Sequence, residues 1–229
     1  MDQLRMVNNT RNLINVDCIV LTEDRHTELL ENLLLSSGFD TDHVRIMSYE
    51  GCTNTGALPM IVATLRQIRE DMLYIVHRDG DYLTPPEASE YQQKVQKLKL
   101  TPFITAGTDI ESYYLNAAHV NYLYPSLTIS EVEQMIERQT LNTKTLSLER
   151  MRKHKYKKDY NGIAALNDQE IITNYEADPA RFRLGKKTFG LLKSDLQKRL
   201  GNNAALNRPS PYLTAPELIA AARKVPKKR

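Results

Sequence analysis

Four acidic side chains stand where strands are expected to end. Glu23 follows the apolar run CIVLT, Asp79 and Asp81 follow LYIV within HRDGDYL, and Glu111 follows FITAGTDI. In parallel α/β sheets, ligands collect beyond the carboxyl ends of the strands, so neighbouring strands would bring these carboxylates together. Carboxylates that close repel one another, and a divalent cation relieves the repulsion. Oxygen donors of this kind suit Mg2+ or Mn2+. A pair of such ions can activate water and stabilise a leaving oxygen in phosphodiester hydrolysis. Taken singly, each acid has a plainer role. Glu23 suits the first turn of a helix, Asp-Gly favours turns, and Glu111 suits a solvated helical face. Beside the pair, His77 reads as packing against the sheet rather than binding metal. Arg78 either holds a phosphate or neutralises the cluster.

The elements that must position these residues alternate. DCIVLTED reads as a strand, followed by a helix in RHTELLENLLLSSG with Leu29, Leu30, Leu33 and Leu34 as its apolar stripe and Gly38 as its stop. HVRIMSYEG is a second strand, and GALPMIVATLRQIRED a second helix with Pro59 in its first turn. MLYIVH, a helix over 86–98, TPFITA and a helical DIESYYLNAAHV follow. This alternation predicts a mostly parallel sheet flanked by helices. Beyond residue 122 the β signal fades. The stretch 128–160 reads as helical, with Ser130 as N-cap and Glu133 closing a capping box. A helix over 181–201, an irregular segment around Pro209, Pro211 and Pro216, and a last helix complete the pattern. The expected division is an α/β domain over 1–122 and a helical basic region over 123–229.

Charge is uneven along the 229 residues. From Arg181 to Arg229 there are 13 Lys or Arg against Asp195 and Glu217, a net +11 in a chain whose total is +3. An acidic body with a basic tail suits a polyanionic partner. Arg78 and the segment RMRKHKYKK, with Arg152, Lys153, Lys155, Lys157 and Lys158, are candidate nucleic-acid contacts. No apolar run reaches the length of a membrane span, and the opening residues carry no signal-peptide pattern. The two cysteines, Cys18 and Cys52, have neither metal-site nor disulfide spacing. A reducing cytoplasm is therefore expected, with both packed in the sheet layer. No G-x-x-x-x-G-K-[ST] loop is present, which argues against an ATPase in this chain.

The order of these motifs resembles the TOPRIM domain. Glu23 would be its glutamate after the first strand, Gly51 in SYEGCTN its glycine after the second, and Asp79 with Asp81 its Asp-x-Asp after the third. TAGTDIESYYL further resembles a segment of the OLD (overcoming lysogenization defect) family nucleases, with Glu111 as the matching acid. LGKKTFGLL offers Lys186 or Lys187 for that family's late lysine, which assists at the transition state. The chain departs from the TOPRIM pattern at Asp24, where glycine is common. It departs from the OLD pattern at Thr27, where a second acid is common, and Asp24 or Glu28 is the replacement to consider.

The resemblance implies a metal-dependent endonuclease. Glu23, Asp79, Asp81 and Glu111 would hold two Mg2+ or Mn2+ ions, with Lys186 or Lys187 stabilising charge. It further implies an antiphage effector with a separate ABC-type ATPase subunit, in a homo- or hetero-oligomer away from membranes. DNA is the expected polymer, and RNA, including tRNA, the other one. Two alternatives stand beside it: a non-catalytic TOPRIM-like subunit that binds nucleic acid or a partner, and a metal-dependent nucleotide-sugar transferase built on the D-x-D pair.

Overall fold

A computed structural model describes residues 15–49, 58–68, 71–155, 166–201 and 203–225. Gly51, Cys52, Lys157 and Lys158 lie outside the described residues. The chain folds as α/β, with strands β1 (Cys18–Thr22), β2 (Val44–Ser48), β3 (Leu73–Arg78) and β4 (Thr101–Ile104) in the order β2-β1-β3-β4. All three strand pairings are parallel: Cys18 lies beside Val44 on one side and Leu73 on the other, and Ile75 beside Thr101. This four-stranded parallel sheet flanked by helices is consistent with a TOPRIM-like fold. Among the described residues no helix is long and apolar enough to cross a membrane.

Strand β1 is buried on both faces, as expected where helices cover a parallel sheet on both sides. Cys18 and Val20 face a core completed by Leu30, Leu33 and Leu34 of α1 (Glu28–Ser36). Ile19 and Leu21 face the opposite core, with Val62 and Leu65 of α2 (Leu58–Ile68) and Tyr91 and Val95 of α3 (Pro85–Lys97). The apolar stripe expected in α1 is present, with Leu29 only partly buried.

Beyond β4 the structure departs from the expected boundaries. DIESYYLNAAHV divides into a 3-10 turn, Ile110–Tyr114, and α4 (Ala117–Leu123), because the Asn116 side chain accepts the His119 N–H and starts a new helix. The long 128–160 stretch divides into α5 (Ile129–Asn142) and α6 (Lys144–Lys155). The break is at Thr143, whose hydroxyl bonds the Gln139 carbonyl and Thr188 Oγ1. The cap of α5 is Thr128 with Glu131, two residues before the expected pair. Three further helices follow: α7 (Asp168–Ala177), the single turn α8 (Pro179–Phe182) and α9 (Gly185–Leu200).

The C-terminal part packs into the sheet layer. Leu213, Ala215 and the α10 (Pro216–Ala222) residues Leu218 and Ala221 share the core of Cys18, Val20 and Ile75. A third apolar centre joins α4, α5 and α9 through Val120, Val132, Leu192 and Leu196, and Phe189 touches both this centre and the core of Cys18.

Candidate metal centre

The carboxyl ends of β1, β3 and β4 open on one side of the sheet, and the first turn of α9 closes over them. Together they enclose a cavity of about 540 Å3. Into it project Glu23 and Asp24 from beyond β1, Asp79 and Asp81 from beyond β3, Asp109 and Glu111 from beyond β4, and Lys186 from α9.

The glycine between the two aspartates is required by close packing. Its N–H donates to Thr105 Oγ1 at 2.7 Å, and that hydroxyl donates to the Gly107 carbonyl at 3.0 Å. A Cβ on Gly80 would stand 2.4 Å from the carbonyl oxygens of both Thr105 and Gly107. Asp81 adopts φ = 41°, a left-handed conformation uncommon outside glycine, and its N–H donates to the Thr108 carbonyl at 2.8 Å. Arg181 holds the outer side of this loop, donating to the carbonyls of Asp81 (3.0 Å), Gly80 (3.3 Å) and Leu83 (3.4 Å). Asp79-Gly80-Asp81 is therefore a clamped loop rather than a free surface turn.

Asp109 joins the sheet to α9. Its Oδ1 accepts the N–H and hydroxyl of Ser112, at 3.1 and 3.0 Å, and its Oδ2 accepts the Lys186 N–H at 2.8 Å. One carboxylate thus caps both the 3-10 turn and the positive end of a 16-residue helix. Thr108 reinforces the junction, donating to the Arg183 carbonyl at 2.8 Å and accepting the Gly185 N–H at 3.1 Å.

Beneath the loop lies His77, fully buried, its ring 5.4 Å from that of Phe103. Its Nδ1 is 2.8 Å from Thr22 Oγ1, which also accepts the Asp24 N–H at 3.1 Å. The ring lies between two carboxylates, with Nδ1 3.6 Å from Asp24 Oδ2 and Nε2 3.8 Å from Asp79 Oδ1. Neither His77 Nε2 nor Asp79 Oδ1 has a hydrogen-bond partner. Asp24, His77 and Asp79 each offer a ligand atom within 4.8 Å of the others, so this group can hold a metal ion.

The electrostatics are those of buried acids crowded into one cleft. Burial raises the carboxyl pKa of Glu23, Asp24, Asp109 and Glu111, and Lys186 offsets part of this at Asp24 and Glu111. Asp79 is pushed up to about 9 by burial and then by the charges of Asp24, Asp109, Asp81 and Glu23. Burial lowers His77 to about 4, so its imidazole is neutral near pH 7. Perturbed acids gathered in a cleft make it a candidate functional site.

Of the acids selected from sequence, Glu23, Asp79, Asp81 and Glu111 all line the cavity. Lys186 lines it too; Lys187, exposed like Lys186 on the same helix, is outside that lining. Arg78 stacks over the Tyr91 ring at 4.8 Å, and its charge favours ionised Glu23. Arg152 pairs with Asp168 of α7 at 2.6 Å, Lys153 is exposed, and Lys155 ends α6. Sequence reading passed over Asp109 and Arg181 and assigned His77 a packing role alone. Asp109 was signalled only by the pattern Asp-x-x-Ser, which reads as a local turn cap. No protein-family model, curated protein or solved structure matches this chain in comparisons with known proteins.

Proposed function

We propose that this chain is a metal-dependent endonuclease of the TOPRIM type that hydrolyses nucleic-acid phosphodiester bonds. The observation that carries this reading is the convergence of seven carboxylates, the six above and Glu28 at the start of α1, and one lysine, from three strand ends and two helix starts, on a single cleft. Glu23, Asp79, Asp81 and Glu111 would hold Mg2+ or Mn2+, with Asp24 beside them. When bound, the ions lower the pKa of a water and neutralise phosphate charge. Arg181 and the 105–108 turn fix the loop that carries Asp79 and Asp81. Lys186, with Arg25 also on the lining, directs positive charge into a mostly acidic cleft and supports the charge that develops on phosphate. Asp109 holds the start of α9 and with it the backbone of Lys186. The exposed basic residues after Arg181 supply attraction for a polyanion.

DNA is the favoured polymer. The resemblance to OLD-family nucleases supports an antiphage effector that works with a separate ABC-type ATPase. The test is incubation of plasmid DNA and total RNA with the chain and Mg2+ or Mn2+, against Asp79→Asn. Cleavage that needs the cation and is lost in the variant is the expected result. Equal cleavage by both proteins would remove the site assignment.

A further inference from the structure

The acidic cleft has a nitrogen in its floor. His77 Nε2 is buried without a hydrogen-bond partner, and 3.8 Å from it stands Asp79 Oδ1, also buried and unpartnered. A single buried polar atom without a partner is uncommon and costly, and here two face each other. Their separation is too long for a hydrogen bond. It falls within the range of about 3 to 4.2 Å kept by two ligands of one ion whose bonds are about 2.1 Å long. The other ring nitrogen is engaged by Thr22 Oγ1 at 2.8 Å. An oxygen on one nitrogen is how a ligating imidazole is oriented, with the second nitrogen left for the ion. Asp24 steadies that side of the ring, its Oδ2 3.6 Å from Nδ1 and its backbone N–H on the same hydroxyl.

We propose that His77 Nε2 is a metal ligand together with the carboxylate of Asp79, and that this centre selects Mn2+ over Mg2+. An all-oxygen set is what Mg2+ prefers, whereas imidazole favours first-row transition ions and carboxylates accept Mn2+. The inference rests on the proposed reading of the cleft as a cation site. It concerns which atoms hold the ion, not whether a phosphodiester is cut.

The experiment uses the full chain and Mn2+ alone. Pulsed electron paramagnetic resonance of bound Mn2+ is expected to show a directly coordinated 14N, and labelling histidine alone with 15N should change that coupling. His77→Gln should abolish the coupling and weaken Mn2+ binding at least about 10-fold. Mg2+ should bind the wild type at least about 10-fold more weakly than Mn2+. His26 lines the same cavity, so His26→Ala is the control, and it should retain the coupling. If His77→Gln does not fold, the labelled wild type and His26→Ala decide the matter without it. Mn2+ bound with no histidine coupling, a coupling lost in His26→Ala, or no Mn2+ binding would each overturn the proposal. The two readings fail separately. Histidine-coupled Mn2+ without cleavage of DNA or RNA removes the nuclease reading alone, and Mg2+-driven cleavage with no histidine coupling removes this one alone.

Discussion

The carboxylate of Asp109 accepts the backbone N–H of Lys186 at 2.8 Å, across 77 residues of sequence. That bond sets the start of α9 against the end of β4. It makes the position of the only lysine lining the cleft, among the described residues, dependent on an acid from the sheet.

The junction is tight enough to exclude a methyl group. A Cβ on Gly185 would fall 1.8 Å from Asp109 Oδ1 and 2.3 Å from Ser112 Oγ, whereas one on Gly190 meets nothing within 4 Å. Gly185→Ala should therefore destabilise the fold by about 2–3 kcal/mol through overpacking and loss of the cap. Gly190→Ala, in the same helix, should stabilise it by up to about 1 kcal/mol. Urea unfolding of the two variants provides the check, and a neutral Gly185→Ala would refute the junction.

Stability in the absence of cations should fall as pH rises from about 6.5 to 9, Asp79 and His77 offsetting each other below that. The folded-state pKa of Asp79, about 9, lies far above its ordinary 3.8, so between those values the folded chain holds a proton that the unfolded chain lacks. Stability from this group is complete below pH 4 and is lost as pH climbs through 9. His77 acts in the opposite sense: with a folded value near 4 against 6.5, its contribution is present above pH 6.5 and lost as pH falls to 4. Asp79→Asn should raise the melting temperature at pH 8 by about 2–8 °C, corresponding to roughly 1–2 kcal/mol. The same change should cancel the stabilisation given by Mn2+. Thermal melts from pH 5 to 9, with and without the ion, would show a lower-melting variant if the carboxylate were not under repulsion.

Lys186 and Lys187 should separate in function. Lys186→Ala is expected to lower the rate of cation-dependent cleavage about 10²- to 10³-fold, the scale for one group that stabilises transition-state charge. Lys187→Ala should stay within about 3-fold of wild type on that same scale, since its side chain lies outside the cleft lining. Single-turnover cleavage of plasmid DNA distinguishes them, and equal losses would mean that the lysines act through general attraction for the polymer.

Arg181 should be irreplaceable by lysine. Its two terminal nitrogens reach three carbonyls of the loop, at 3.0, 3.3 and 3.4 Å. A single ammonium cannot reproduce that planar fork. Both Arg181→Lys and Arg181→Ala should cost about 1–3 kcal/mol and weaken Mn2+ binding. Calorimetric titration is the measurement, and full binding by Arg181→Lys would show that charge alone suffices.

The strands and the acids at their ends were legible because each strand is a short apolar run closed by polar residues. The cap of α5 shows a near miss. Both Thr128-x-x-Glu131 and Ser130-x-x-Glu133 satisfy the capping pattern. Only the first puts apolar residues at the positions before and after the first turn, where Leu127 and Val132 are both buried in the same core. Choosing Ser130 would have placed the exposed Ile129 before the cap. The role of Asp109 was hidden for another reason. Its bonds to Ser112 are local and mimic an ordinary turn, while the bond that matters to the cleft reaches a residue no pattern connects to it. His77 was hidden in the same way, since burial on a strand gives no sign that one ring nitrogen lacks a partner.

The sharing of one core by Cys18 and Leu218 has a consequence for how the molecule is made. A chain emerging from the ribosome lacks both Lys186 and the residues that finish the first core until long after β1 has been synthesised. Contacts separated by almost the whole sequence also close late, after a large loss of chain entropy. Completion of this core should therefore be slow. The cleft stays incomplete until α9 has been made and has docked on Asp109, so the strand-end acids cannot meet Lys186 before that point.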